Sequence, residues 1–144
     1  MKIAVVDETG GLDAKYRSRL RKITQSVLTN ADVPNNAELC VSFIGDEKMR
    51  ELNRSYRNVD RTTDVLSFAQ GEEGHGYTLL GDVVISLDTA GRHGESYGNT
   101  LHEEIKKLIV HGILHLLGHD HKKKKETRIM REKEAELLSC VKDL

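Results

Sequence analysis

The segment His111-Gly112-Ile113-Leu114-His115-Leu116-Leu117-Gly118-His119-Asp120-His121 holds four of the chain's seven histidines. Three of them stand in the pattern H-x-x-x-H-x-x-G-x-x-H. Residues four apart lie one above the other on a helix face, so His111 and His115 can reach a single ion. Gly118 can adopt the left-handed conformation that ends a helix, after which the chain can turn back and present His121. Three imidazoles leave the fourth position of a tetrahedral zinc open to water, which is the catalytic rather than the structural arrangement. One zinc per chain, held by His111, His115 and His121, is the expectation. His119 lies inside the same motif and can compete with His121, although the geometry of a helix followed by a turn favours His121.

The long zinc-protease motif carries a glutamate directly after its first histidine, and that glutamate is the general base. Here the position is Gly112, so the spacing argues for a metal site and residue 112 argues against ordinary peptide hydrolysis. A three-histidine zinc brings the pKa of its water to about 7, which suits hydrolysis of an ester, amide or phosphodiester. The developing charge then needs a stabilising partner. Arginine fits phosphate oxygens with a planar fork that never deprotonates. Arg57 closes a predicted helix and opens the loop before Asp64, so it can face a cleft. A solvated surface charge is the bland alternative for any one arginine in the cluster Arg50, Arg54, Arg57 and Arg61. Asp120 can orient a ligand imidazole or cap the turn, and Asp82 reads as structural.

The elements that must position these groups follow from periodicity. Residues 2–6 read as a strand. Leu12, Tyr16, Leu20, Ile23 and Val27 recur at steps of three and four, an amphipathic helix that must stop before Pro34. Leu39, Val41 and Phe43 alternate with polar neighbours as a strand with one buried face. Gly45 and Asp46 open a helix carrying Met49, Leu52 and Tyr56. Val65–Phe68 and Leu80–Leu87 are strands, with a loop expected over Gly71–Tyr77. Gly91–Gly98 reads as loop or a helical turn. Thr100 and Glu103 form a capping box for a helix that is apolar nearly all round from Leu108 to Leu117, and therefore buried. A last helix runs from about Lys125 to Val141, with Met130, Leu137 and Val141 facing inward. The order predicts an α+β fold: a single domain over 1–144, a small mixed sheet of about four strands, four or five helices, and one buried central helix carrying the metal ligands.

With 144 residues the chain can bury a core without disulfides. Cys40 and Cys140 form no metal-type pair and read as buried free thiols of a reducing compartment. No apolar run approaches a membrane span, and the first residues are too quickly acidic for a secretory leader. Twenty-two basic residues against twenty-three acidic ones leave a formal charge of −1, so any polyanion must be met by local patches such as Lys122–Lys125. His75, His93 and His102 read as surface residues.

The histidine segment resembles H-G-x-L-H-L-x-G-Y-D-H, the signature of the YbeY family of bacterial endoribonucleases. Leu52-Asn53-Arg54-Ser55-Tyr56-Arg57, Thr63-Asp64-Val65-Leu66-Ser67-Phe68 and Gly81-Asp82-Val83-Val84-Ile85-Ser86 are similar to that family's other motifs, in the same order. The resemblance covers nearly the whole chain. It implies His111, His115 and His121 as zinc ligands and Arg57 as the catalytic arginine. It further implies cytoplasmic cleavage of single-stranded or ribosomal RNA in rRNA maturation and ribosome quality control, with ribosomal small-subunit proteins as partners and no membrane. The chain departs from the family at His119, where tyrosine is usual, and at Thr62 and Ala69, where prolines are common. Two other readings stand beside it. One is a metallopeptidase-like hydrolase that recruits Asp120 or Glu104 as base. The other is a non-catalytic ribosome-associated factor with a structural metal.

Overall fold

The computed structural model describes residues 1–74, 77–119 and 124–144, and for residues 71–74 and 77 the backbone only. His75, Asp120, His121, Lys122 and Lys123, named above, lie outside the described residues. The elements in chain order are β1 (Lys2–Asp7), α1 (Ala14–Asn30), β2 (Ala37–Ile44), α2 (Asp46–Arg57), β3 (Val65–Gly74), β4 (Tyr77–Ser86), α3 (Leu87–Tyr97), α4 (Leu101–Leu116) and α5 (Lys124–Cys140). This is the expected α+β architecture, with one four-stranded mixed sheet and five helices among the described residues.

The sheet order is β1-β2-β4-β3. β1, β2 and β4 run parallel, with Val5 opposite Val41 and Val41 opposite Val83, while β3 pairs antiparallel to β4, Val65 opposite Ile85. Strand alternation sends Leu39, Val41, Phe43, Val83 and Ile85 to the main core. There they meet Leu20, Ile23 and Val27 of α1, Ile105, Ile109 and Ile113 of α4, and Met130 and Leu137 of α5. The intervening Val84 and Leu66 join Ile44 and Met49 in a smaller cluster on the other face, which α2 covers. The residues predicted to face inward from the last helix, Met130, Leu137 and Val141, are all buried, although α5 ends at Cys140 and Val141 lies just beyond it.

Two segments differ from the sequence expectation. Residues 91–97 belong to α3, a full helix capped by Ser86 and ended by Gly98 in the left-handed conformation. Its inward residues are Thr89, Ala90 and Gly94, too small to register as an apolar stripe. A Cβ on Gly94 would stand 2.8 Å from the Asn99 carbonyl oxygen, so close approach rather than side-chain bulk packs this helix. The expected loop from Gly71 is instead the continuation of β3, paired through Glu73–Thr78 and Gly74–Tyr77. Backbone pairing carries this ladder, and composition does not report pairing. A register shift between Ala69 and Glu72 accompanies Gly81, whose φ of +134° and close approach to the Phe68 carbonyl exclude any side chain.

The thiol expectation is half met: Cys40 is half-buried in β2, but Cys140 is exposed at the end of α5. His93 and His102 also depart from the surface reading. His93 sits on α3, 3.7 Å from Asp64 and edge-on to Tyr97. His102 is half-buried, hydrogen-bonded through Nδ1 to the Tyr16 hydroxyl and through Nε2 to the Leu144 carbonyl. Burial pushes its imidazole below the usual range, and the Leu144 carbonyl opposes this only in part.

Asp46 fixes α2 in place. Its carboxylate accepts from Thr62 Oγ1 (3.1 Å), Ser86 Oγ (2.7 Å) and Thr89 Oγ1 (2.6 Å), and pairs with Arg92 at 2.7 Å. Burial pushes this carboxyl up, but the hydrogen bonds from Arg92, Thr89, Ser86 and Thr62 more than offset it and hold it well below the ordinary carboxylate range. A depressed folded-state pKa gives stability that is present above the unfolded value and lost as pH falls towards the folded one. Asp46→Asn should therefore cost about 2 kcal/mol at pH 7. Urea titrations should show the gap from wild type closing steadily below about pH 4. A gap that stays constant down to pH 2 would contradict this account.

Candidate active site

α4 starts from the expected capping box: Thr100 Oγ1 accepts from the Glu103 amide at 3.1 Å, and Glu103 Oε1 accepts from the Thr100 amide at 2.9 Å. The helix ends where Gly118 was expected to end it, at φ +92°. The His119 amide reaches the Leu114 carbonyl and the Gly118 amide reaches that of His115, both at 3.0 Å. These two bonds make a Schellman ending, the geometry that lets the chain leave the helix axis just before His121. Between these ends α4 is mostly buried, and at Gly112 it packs tightly on the sheet. A Cβ there would stand 2.5 Å from Val83 Cγ1 and 3.3 Å from Ser67 Oγ, and Ser67 Oγ donates to the Gly112 carbonyl at 2.9 Å. The carboxylate missing from position 112 is thus one for which the fold has no room.

The imidazoles of His111 and His115 stand on one face of α4 as expected, with their Nε2 atoms 3.0 Å apart. Two ligands of a tetrahedral zinc at about 2.0–2.1 Å stand about 3.3 Å from each other, so this donor pair fits such an ion with little adjustment. The other ring nitrogen of His111, Nδ1, lies 2.8 Å from Glu134 Oε1 of α5. His121 lies outside the described residues, and His119 is not among the side chains that line the adjoining cleft.

That cleft, about 310 Å³, has His111 and His115 on one wall and Val65, Ser67 and Ala69 of β3 on the other, with Arg57 at its side. Arg57 is the last residue of α2, which a left-handed Asn58 terminates. Its Nη2 donates to the Ser67 carbonyl at 2.8 Å, and its guanidinium lies 5.2 Å over the Phe68 ring. Tyr56 meets the same ring edge-on at 5.2 Å. Among the described residues of the basic cluster, Arg57 alone lines the cleft. Arg50 is instead paired with Asp60 at 2.8 Å on the exposed side of α2. At the start of α5, Lys124 and Lys125 share a surface with Arg128 and Arg131.

A family model described as Endoribonuclease YbeY matches residues 2–142. The chain belongs to the YbeY family. Similar proteins include one named Endoribonuclease YbeY from Aquifex aeolicus, 56% identical over 106 residues that span 73% of this chain and 71% of the relative. A second of the same name, from Geobacillus thermodenitrificans, is 38% identical over 148 residues, 96% of this chain and 95% of the relative. The solution structure of TM1509 from Thermotoga maritima matches with a TM-score of 0.67 at 27% identity, over 96% of this chain and 88% of that one. Membership of the YbeY family makes the protein an enzyme, a nuclease of the hydrolase class.

Sequence reasoning missed Glu134. The inward residues read from the sequence leave it out, yet it completes the series Met130, Glu134, Leu137, Val141 at steps of four, three and four. A lone carboxylate on an otherwise apolar stripe was the available signal.

Proposed function

We propose that this YbeY-family member is a zinc-dependent endoribonuclease acting on single-stranded RNA, with rRNA maturation and ribosome quality control in the cytoplasm as its setting. Ribosomal small-subunit proteins are the proposed partners there. The observation that carries the reading is the convergence of the His111–His115 pair and the Arg57 guanidinium on one cleft. His111, His115 and His121 would hold the ion. Zinc bound there would supply Lewis acidity for phosphodiester cleavage.

Arg57 spends one of its N–H donors on Ser67 and keeps others for phosphate oxygens, on a side chain already fixed by Phe68. Such a preorganised donor stabilises transition-state charge without reorganisation during the reaction. Val65, Ala69 and Leu116 supply apolar surface to the same cleft. Lys124, Lys125, Arg128 and Arg131 offer further sites for the RNA backbone, contacts that would make affinity fall with salt.

Of the two bases the peptidase alternative would recruit, Asp120 lies outside the described residues and Glu104 is held away from the cleft. Gly112 has no space for a carboxylate. Glu104 is buried and accepts from Asn99 Nδ2 at 2.8 Å, about two helical turns from His111.

Purified protein is expected to contain one zinc per chain. Chelation should abolish cleavage of a single-stranded RNA, and added zinc should restore it. The sheet and α1 have their own apolar faces, so most of the far-ultraviolet circular dichroism should survive metal removal. Undiminished RNA cleavage by verified metal-free protein would overturn the zinc-dependent reading.

A further inference from the structure

α5 does more than cover the core. Its inward residues Met130 and Leu137, with Val141 just past its end, are wholly buried against the rest of the fold, and Glu134 on the same stripe carries a carboxylate to within 2.8 Å of His111 Nδ1. Both side chains are mostly removed from solvent, with exposures of 30% for His111 and 22% for Glu134. An ionised carboxylate can only accept, so Nδ1 must be the protonated ring nitrogen in this pair. That leaves Nε2 of His111 as a lone-pair donor, and Nε2 is the atom that faces His115 Nε2 across 3.0 Å. The bond also restrains the orientation of the ring.

We infer that Glu134 is a positioning residue of the metal site: it sets the tautomer and orientation of His111, so that docking of α5 completes a site whose described ligands lie on α4. The inference deepens the zinc reading and rests on it for the affinity measurement, but the tautomer can be read without metal. Carboxylates in this relation to a ligating histidine contribute about 10–100-fold in metal affinity.

The test compares wild type with Glu134→Ala, Glu134→Gln and Glu136→Ala. Glu136 is on the same helix, 60% exposed and 3.5 Å from Lys133, so its loss removes the same charge away from the site. Zinc affinity is measured by competition with a chelator of known strength. Glu134→Ala should bind zinc about 10–100-fold more weakly. Glu134→Gln, which keeps an acceptor oxygen, should fall between it and wild type, and Glu136→Ala should match wild type. Nitrogen-15 spectra of the metal-free proteins at pH 8 should place the His111 proton on Nδ1 in wild type and shift the population towards Nε2 in Glu134→Ala. Equal zinc affinity in wild type and Glu134→Ala would overturn the role of Glu134 while leaving the zinc reading intact. A wild-type protein that takes up no zinc would instead overturn the zinc reading. In that event the nitrogen-15 spectra still decide the positioning role, because an Nε2-protonated His111 in wild type would refute it.

Discussion

Replacing Arg57 with alanine is expected to lower RNA cleavage about 10²-fold or more, with zinc content unchanged. The magnitude is that of removing one preorganised donor from developing charge. It should appear in kcat rather than in KM, because the interaction strengthens as charge builds on the phosphoryl oxygens. Folding should suffer little. Arg57 is exposed, and its bond to Ser67 and its contact with Phe68 contribute about 1 kcal/mol together. Arg57→Lys should recover only part of the rate, since an ammonium cannot reproduce a planar fork and stacks less well on Phe68. Single-turnover cleavage by the two variants, with zinc measured in parallel, decides the matter. Wild-type turnover in Arg57→Ala would return this residue to the solvated surface.

Gly112 carries the second large effect, on stability. Gly112→Ala gains about 1 kcal/mol of helix propensity. The new methyl must then displace Val83 Cγ1 from 2.5 Å, in a wholly buried, β-branched residue that cannot swing aside. Overpacking of this kind costs about 1–3 kcal/mol, so the net change is a modest loss. Gly112→Glu rebuilds the zinc-protease motif on paper. In the fold it drives a carboxylate into the α4–β4 contact, and a loss above about 4 kcal/mol is expected, a large share of the stability of an ordinary domain. Neither variant should cleave peptides. Urea denaturation measures both, and a Gly112→Ala protein as stable as wild type would show that the α4–β4 spacing is softer than argued.

The sequence by itself determined those features that depend on neighbours a few residues away. The Thr100–Glu103 box, the Schellman turn at Gly118 and the facing of His111 with His115 are all consequences of helical pitch and of what glycine permits, so spacing was enough to read them. The buried face of β2 and the inward stripe of α5 followed from alternation and period in the same way. The tertiary structure decided what depends on two distant backbones approaching. α3 packs through Ala90 and Gly94, whose smallness leaves no hydrophobic period to detect. The extension of β3 over residues 71–74 exists because β4 pairs with it. The lack of room at Gly112 comes from Val83 lying against it, and the place of Glu134 from α5 laying it on His111. Arg57 could be nominated from its chemistry and from resemblance. Its place at the cleft follows from the packing of α2 on the sheet, held by Asp46 at one end of the helix and by Ser67 and Phe68 at the other. Local periodicity specifies which face a side chain occupies. Which other face it meets is set by the path of the whole chain.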